Sequence, residues 1–548
     1  MGHRAAFSKA IPIELVPSDR SAGTAHESDL NENKFARADA PVGSRSNMRL
    51  DSWLVGIAIV VTLGTLLRLT RLRTGLWFDE GITWDITNAS TFGSLLNILA
   101  NVHGSERLAP LHPCLVYFWR ALFGDSEVSL RLLSILMSIA SVLLLADASR
   151  RLFGRSAALW AAAIGGSSAY LVAYGGYIRP YATVILCTCI VVDAWAADCT
   201  SDHRRTGPIV WCAVGAVALT AGIAFSFIPL TMMALCDWRL RSDWRRWLLL
   251  WGPSAALSIP VGLGVYGGWI FWGTNLSVPG RQGILISLMF AIYGIAVGET
   301  YGPTVQALHG AHLIDVVLRY WLRLMLFAGV LLALTINIVR ILSRPGGRTG
   351  DEVPRLALRS LVFALVGSLL IGAVAGYLGN LNWLPRHAFF AAPIFVLILA
   401  ALPTLDASAI VGATPIVALL LMNLISIVNM DCRREYALDD YADVARYLNS
   451  PEVRESSRVM VYGVVPLMRN YYHVSGLIDG SSAGPHGLGP SLDSLTGRAS
   501  DVTLVVDRQW AWAGENLVSV QAHCYEVREH ERFPYFDLYR MTRDESCP

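Results

Sequence analysis

The sequence predicts a polytopic α-helical membrane protein of about 11–13 spans, followed by a small extracytoplasmic α/β domain at its C-terminal end. Three observations predict it. The chain of 548 residues is 54% hydrophobic and only 16% charged, against about 25% charged in soluble domains. Its mean hydropathy is +0.46, and long apolar runs recur through most of its length. After residue 430 the texture changes to short alternating segments of mixed polarity. The formal net charge of +2 gives no sign of a nucleic-acid partner.

Residues 1–50 are polar, mixed in charge and without periodicity, so a disordered cytoplasmic tail is expected. No short apolar core with a small-residue cleavage site opens the chain, so the first apolar run is expected to serve as its own insertion signal. Apolar segments long enough to be read as spans fall near 51–70, 127–147, 156–174, 181–198, 208–221, 223–237, 247–271, 315–342, 358–378, 387–403 and 408–429. The fifth and sixth form one continuous run, too long for a single crossing without strong tilt. Arginines cluster in "SRRLFGR" (149–155), "DHRRTG" (202–207), "DWRLRSDWRRW" (237–247) and "SRPGGRTGDEVPRLALR" (343–359). With all four in the cytoplasm, the eleven spans alternate consistently. The stretch 284–298 is then a re-entrant or surface helix, with a hairpin of two short crossings as the alternative.

This topology puts the loops 71–126 and 272–314, the turns 175–180 and 379–386, and residues 431–548 outside. The domains are thus 1–50, 51–430 and 431–548. The basic stretch "RLTRLR" (68–73) lies at the outer side against the rule, which suggests a task such as holding lipid phosphates. In the last segment "DDYADVARYLNSPEV" has helical spacing, "SRVMVYG" and "DVTLVVDR" read as strands, "MRNYYHVSG" as a helix end or turn, and "RFPYFDLYRMTR" as a final strand. Cys432, Cys524 and Cys547 fall here; two could pair in an oxidising compartment.

"GLGVYGG" (262–268) fits G-x-G-x-x-G in form, but it lies inside an apolar span with no strand before it, so helix packing explains its glycines better than a nucleotide site. "HGAH" (309–312) lacks a clear third ligand and reads as polar surface. "GLWFDEGITW" (75–84) sets two carboxylates, Asp79 and Glu80, among aromatics. Asp79 could simply cap a helix starting near Gly81. Neighbouring residues do not share a face, so one carboxylate would face a substrate and the other would support the loop. Two other outer turns supply cations: Arg179 in "AYGGYIRPYA" (173–182), and Arg386 with His387 in "NWLPRHAFF" (382–390). Each alone could be an interfacial anchor. Together, one carboxylate and two basic mouths on one side suit an anionic lipid headgroup.

The order of these features resembles the bacterial members of the GT-C glycosyltransferases, in the branch with protein O-mannosyltransferases and the aminoarabinose transferase of lipid A. The residues that carry the resemblance are "LWFDEGIT" after the first span, "PLHPCLVYFWRALFGDSEVSLRLLSIL" (110–136), "RRLFGRSAALWAA" (150–162), "GYIRPYATVIL" (176–186) and "PRHAFFAAPIF" late in the chain. It covers roughly residues 51–430. The chain departs from the family pattern where Leu108 replaces a histidine, with His112 shifted, where Tyr177 replaces an acidic residue, and where "GIAFSFIP" (222–229) replaces a polar mouth.

The resemblance implies a GT-C-like fold in a bacterial inner membrane. It also implies a sugar donor carried on polyprenyl phosphate, and an envelope lipid, glycan or protein as acceptor. Asp79 and Glu80 are then the candidate catalytic carboxylates, with Asp79 accepting the proton of the attacking hydroxyl in one inverting displacement. Arg179, Arg386 and His387 would hold the donor phosphate, and Tyr181 and His112 would contact substrate. No cofactor is implied, with a divalent cation the weaker option. Two other classes stay open: a transporter or flippase of lipid-linked sugar, and a non-catalytic envelope assembly protein that keeps the fold.

Overall fold

The computed structural model describes residues 52–102, 105–200, 206–272, 283–303, 313–344, 352–378, 385–406, 408–433, 436, 441–456, 458–462, 467–479, 500–507, 525–533 and 536–544. Expectations for the tail 1–50, for "HGAH" (309–312), for most of "DHRRTG" and for Cys524 and Cys547 lie outside these residues. Cys432 is exposed and unpaired by disulfide.

All eleven apolar segments form helices. They are α1 (Ser52–Leu69), α5 (Glu127–Phe153), the pair α6 (Arg155–Ser167) and α7 (Ala169–Gly175), α8 (Tyr181–Thr200), α9 (Gly207–Gly222), α10 (Phe227–Cys236), α12 (Trp244–Trp272), α14 (Leu313–Ser343), α15 (Glu352–Leu378), α16 (Ala391–Leu405) and α17 (Ala409–Cys432). Between them lie α2 (Phe78–Thr87), α3 (Phe92–Asn101), α4 (Leu111–Phe123), the single turn α11 (Arg239–Ser242) and α13 (Ile284–Val297). Among the described residues, seven helices are long and apolar enough to cross a membrane, or eight if the bent pair α6–α7 is one span. The chain is thus a multi-pass membrane protein.

Three expected spans, α9, the 224–236 segment and α16, are shorter than the rest. At about 1.5 Å per residue, the 16 residues of α9 extend about 24 Å, less than the roughly 30 Å hydrocarbon core. The long apolar run does break where the charge pattern asked for it: α9 ends at Gly222, and Ile223 is extended (φ −162°, ψ 139°). The pair α6–α7 bends by 58° at Ser168, whose hydroxyl accepts from the Leu171 N–H at 3.3 Å. A side-chain cap of this kind lets α7 start afresh in a new direction.

Burial sorts the helices. In α8, 78% of the spanning window is buried, against 11% for α1 and 17% for α14, so α8 is central and the other two are peripheral. α6 packs through Ala157, Ala158, Ala161 and Ala162, all at or near zero exposure, and small residues let helices approach closely where lipid offers no hydrophobic drive. Arg68 does not face lipid phosphate. It is buried and donates to Ser138 Oγ (2.8 Å) and to the carbonyls of Gly64, Gly165 and Gly166 (2.8–2.9 Å). Arg71 is likewise turned inward, toward Asp431 at 3.4 Å. Free carbonyls at the α6–α7 break satisfy Arg68, which is why a basic residue sits there against the charge rule.

Among its described residues the C-terminal segment holds α18 (Tyr441–Leu448), α19 (Pro451–Ser456) and five strands: β1 (Arg458–Tyr462), β2 (Leu477–Asp479), β3 (Asp501–Asp507), β4 (Tyr525–Arg532) and β5 (Phe536–Arg543). The sheet order is β2-β1-β3-β5-β4. The β1 pairings with β2 and β3 are parallel, and those of β5 with β3 and β4 are antiparallel. The sequence reading found β1, β3 and β5. It missed β4, whose run of charged residues masks alternation, and β2, which is only three residues long. The segment shares one core with the helices: Leu76, Trp84, Leu130 and Ile178 pack with Tyr441, Val444, Met468 and Phe536.

Candidate active site

The acidic pair opens α2, and the helix turns its two carboxylates apart. The Glu80 side chain is wholly buried. It accepts from the Trp77 N–H at 3.2 Å, satisfying one of the donors that a helix N-terminus leaves open. It also accepts from the Ile178 N–H at 2.9 Å and pairs with Arg131 Nη2 at 2.5 Å. Arg131 in turn donates to the carbonyls of Arg71 (3.1 Å), Gly75 (2.7 Å) and Thr74. Glu80 and Arg131 therefore knot the loop before α2, the helix α5 and the turn before α8 into one unit. No part of Glu80 faces an opening.

Asp79, one residue earlier, keeps 18% side-chain exposure. Its Oδ2 lies 3.6 Å from Arg386 Nη1 and 3.9 Å from Arg179 Nη2. Three residues picked from three distant stretches of sequence thus converge on one oxygen. The two arginines are held differently. Arg179 is buried and its Nη1 donates to the Asp79 carbonyl (3.0 Å), to Thr83 Oγ1 (3.3 Å) and to the Glu106 carboxylate. Burial opposes its charge, but Asp79, Tyr181 and Glu106 outweigh burial and hold its pKa above the ordinary guanidinium value. Arg386 sits in a single turn, Pro385–His387, with its side chain 39% exposed. Burial also opposes this charge, and Tyr181 and Asp79 more than offset it.

An aromatic wall positions that turn. The Tyr170 hydroxyl donates to the Pro385 carbonyl at 2.8 Å. Gly294 of α13 lets Pro385 lie against the helix, since a Cβ there would meet the proline ring at 2.5 Å. Tyr174 lies tilted against Tyr170 at 4.5 Å and meets Tyr177 and Tyr181 edge-on at 5.6 and 4.7 Å. The Tyr174 hydroxyl donates to Glu299 Oε1 at 2.7 Å. Deep placement pushes the Glu299 pKa up, although Tyr174 and the Arg386 charge pull the other way.

Tyr181 is buried between Tyr174 and Phe389, whose ring centre is 5.5 Å away, and its hydroxyl interacts with Arg179. His112 is fully buried, with Nδ1 at 2.9 Å from Thr183 Oγ1 and Nε2 without a hydrogen-bond partner. Burial and the Arg179 charge lower its pKa to about 3, so it is a neutral imidazole lining the wall beneath Arg179. His387 is half-buried next to Arg386.

Sequence reasoning missed Glu106, Arg131 and Glu299. Arg131 belongs to a run read for its apolar and aromatic content, and Glu106 lies in the outer loop 71–126 ahead of that run. Glu299, in "VGETYG", is an isolated acid after an apolar helix, and that isolation was a usable signal. Among the described residues no group of three or more His, Cys, Asp or Glu side chains is placed to hold a metal ion.

Over residues 107–263 the chain matches the family model of the dolichyl-phosphate-mannose-protein mannosyltransferases. The match contains Glu106's neighbour Arg107, His112, Arg131 and Arg179, and it leaves Asp79 and Arg386 on either side. No curated protein sequence matches the chain. Among solved structures, the chain is similar to the archaeal oligosaccharyltransferase AglB from Archaeoglobus fulgidus, in complex with an inhibitory peptide and a dolichol-phosphate. The two are 12% identical, over 92% of this chain and 75% of that one, with a TM-score of 0.49. It is similar to apo ArnT from Cupriavidus metallidurans at 16% identity, over 89% and 98% of the two chains, with a TM-score of 0.45. The S. cerevisiae protein O-mannosyltransferase Pmt1–Pmt2 complex bound to the sugar donor is 15% identical, over 43% and 35%, with a TM-score of 0.31. These scores all lie below 0.5, so the class rests on the family match. That match gives the class: a polytopic membrane glycosyltransferase.

Proposed function

We propose that the chain transfers a sugar from a polyprenyl-phosphate donor to an acceptor on the extracytoplasmic side of a bacterial inner membrane, with Asp79 as the base. The observation that carries this reading is the convergence of Arg179 and Arg386 on the accessible Oδ2 of Asp79. The separations of 3.6 and 3.9 Å are longer than charge-assisted hydrogen bonds of roughly 2.7–2.9 Å. A carboxylate held this loosely keeps lone pairs for an acceptor hydroxyl. Asp79 takes the hydroxyl proton, the alkoxide oxygen attacks the anomeric carbon, and the bond to the donor phosphate breaks with its electron pair on phosphate. One such displacement inverts the anomeric centre.

The leaving phosphate needs cationic partners more than a proton. Arg386, half open and beside His387, is suited to receive it. Arg179 has its Nη1 committed to Glu106, Thr83 and the Asp79 carbonyl, and serves better to hold Asp79 in place. Glu80 acts through the loop it ties down and is a positioning residue. Arg179 is balanced by Glu106 and Asp79 faces Arg386, so the preference for a phosphate-linked donor rests on the exposed guanidinium of Arg386 and not on a net positive charge.

The test is mass spectrometry of envelope glycans and lipids in wild-type, deletion and Asp79→Asn strains at equal protein level. Loss of one sugar-sized mass in the deletion, with the loss kept by Asp79→Asn, is the expected result, and the lost mass names the sugar. A wild-type profile with Asp79→Asn removes Asp79 as base and returns the transporter reading to the front.

A further inference from the structure

We propose that a second anion site lies on the far side of the 298–302 segment and binds the phosphate of an anionic membrane lipid. It is a cavity of about 350 Å³ lined by Arg319, Tyr320, Leu322, Arg323, Arg433 and Tyr436. Arg319 and Arg323 stand four residues apart, so both guanidiniums leave the same side of α14. Like charges in that relation repel and weaken a helix. Among the described residues, no ion pair joins either arginine to a carboxylate. The repulsion is relieved by an anion between them, and a guanidinium fork matches two phosphate oxygens.

The cavity is built rather than incidental. Arg323 Nη1 donates to the Tyr301 carbonyl at 2.8 Å and to the Tyr436 hydroxyl at 3.3 Å. The Tyr436 hydroxyl donates to the Gly302 carbonyl at 2.6 Å. Both arginines lie against the Tyr320 ring, at 5.7 and 5.9 Å from its centre. The tyrosines and the short 301–302 segment thus fix the arginine that reaches deepest.

The surroundings say what kind of anion fits. Ile314, Leu318, Leu322 and Met325 form a stripe along α14 with 71, 65, 55 and 65% of their surface exposed. The stripe passes the cavity, sharing Leu322 with its lining, on a helix long and apolar enough to cross a membrane. A ligand with a phosphate in the cavity can lay its chains on this stripe, whereas a free phosphate would leave it bare. Trp321, 57% exposed, is of a residue type that favours the membrane interface. The site stands apart from the transferase reading, because nothing in it depends on Asp79.

The test uses the full chain in nanodiscs of phosphatidylglycerol and phosphatidylcholine, with native mass spectrometry of the lipids that stay bound. Wild type is expected to keep phosphatidylglycerol and not phosphatidylcholine. The Arg319→Gln/Arg323→Gln variant is expected to keep roughly tenfold less, Arg319→Lys/Arg323→Lys an intermediate amount, and Arg386→Gln as much as wild type. Displacement of phosphatidylglycerol by polyprenyl phosphate supports the site and names the second lipid as its occupant. If the double Gln variant does not fold, Arg433→Gln reads the same quantity. Undiminished retention by a folded double Gln variant overturns the proposal. So does loss with Arg386→Gln alone, or equal displacement by inorganic phosphate.

Discussion

Among the described residues, two of the clusters of arginine and carboxylate differ in how tightly they close. One is the site around Asp79. The other joins α8, α11 and α12. There Arg239 pairs with Asp237 at 2.6 Å and with Asp198, while Arg246 approaches Asp198 at 3.4 Å and Trp251 Nε1 donates to Asp237 at 2.9 Å. The Asp237 side chain has no exposure and that of Arg239 only 5%. In the site cluster, Asp79 and Arg386 are 18% and 39% exposed and stand beyond hydrogen-bond distance. The closed cluster spends its hydrogen-bonding capacity on itself, as a buried ion pair must to offset desolvation. The open cluster leaves capacity unused, and unused capacity at an accessible charge is what a ligand needs.

The comparison can be broken by exchanging the expected losses. The largest expected effect is that of Asp79→Asn, which should cut the transfer rate roughly 10²–10⁴-fold and leave the unfolding temperature close to wild type. Arg239→Leu should do the reverse. Stranding the buried Asp237 carboxylate costs about 3–5 kcal/mol, so thermal or denaturant unfolding in detergent should shift strongly, while the folded fraction keeps its turnover. If Asp79→Asn destabilises and Arg239→Leu only slows the rate, the distinction between open and closed clusters fails.

Arg386→Gln comes next. A hydrogen bond to a charged partner is worth about 1.5–3 kcal/mol, so kcat/KM for a polyprenyl-phosphate donor should fall roughly ten- to hundredfold. Undiminished binding of polyprenyl phosphate by Arg386→Gln would detach Arg386 from that role. The smallest effect is expected at Glu299. Burial raises its pKa in the folded chain, so the stability linked to it is fully present below the unfolded pKa of about 4.3 and is lost as pH rises through the raised value. Glu299→Gln keeps an acceptor for Tyr174 and removes the titration. Its unfolding temperature should therefore gain on wild type as pH climbs above the ordinary glutamate range, in a scan of both proteins across pH.

The sequence showed Asp79, Arg179 and Arg386 as separate features and did not show that Glu80 is sealed. The pair "DE" looks symmetric in one dimension. On a helix each step turns by about 100°, and only the packing of α5 and the 176–180 turn decides which of the two carboxylates is covered. "RLTRLR" misled for a related reason. Arg68 satisfies carbonyls released at the bend between α6 and α7, and nothing in residues 68–73 signals a break a hundred residues later.

Composition and the spacing of apolar runs determined by themselves that the chain is a bundle of membrane helices followed by a small α/β segment, because hydrocarbon admits few alternatives to the helix. They also marked the turns that carry charge, since charges at helix mouths are costly and stand out. Only the tertiary structure decided which mouths meet, which arginine is spent on Glu106 and which stays open, and that the C-terminal segment braces the Asp79 helix, where Leu467 lies against Gly81 at 2.7 Å from a would-be Cβ. Those outcomes depend on contacts between residues far apart in the chain, and local periodicity holds no information about them.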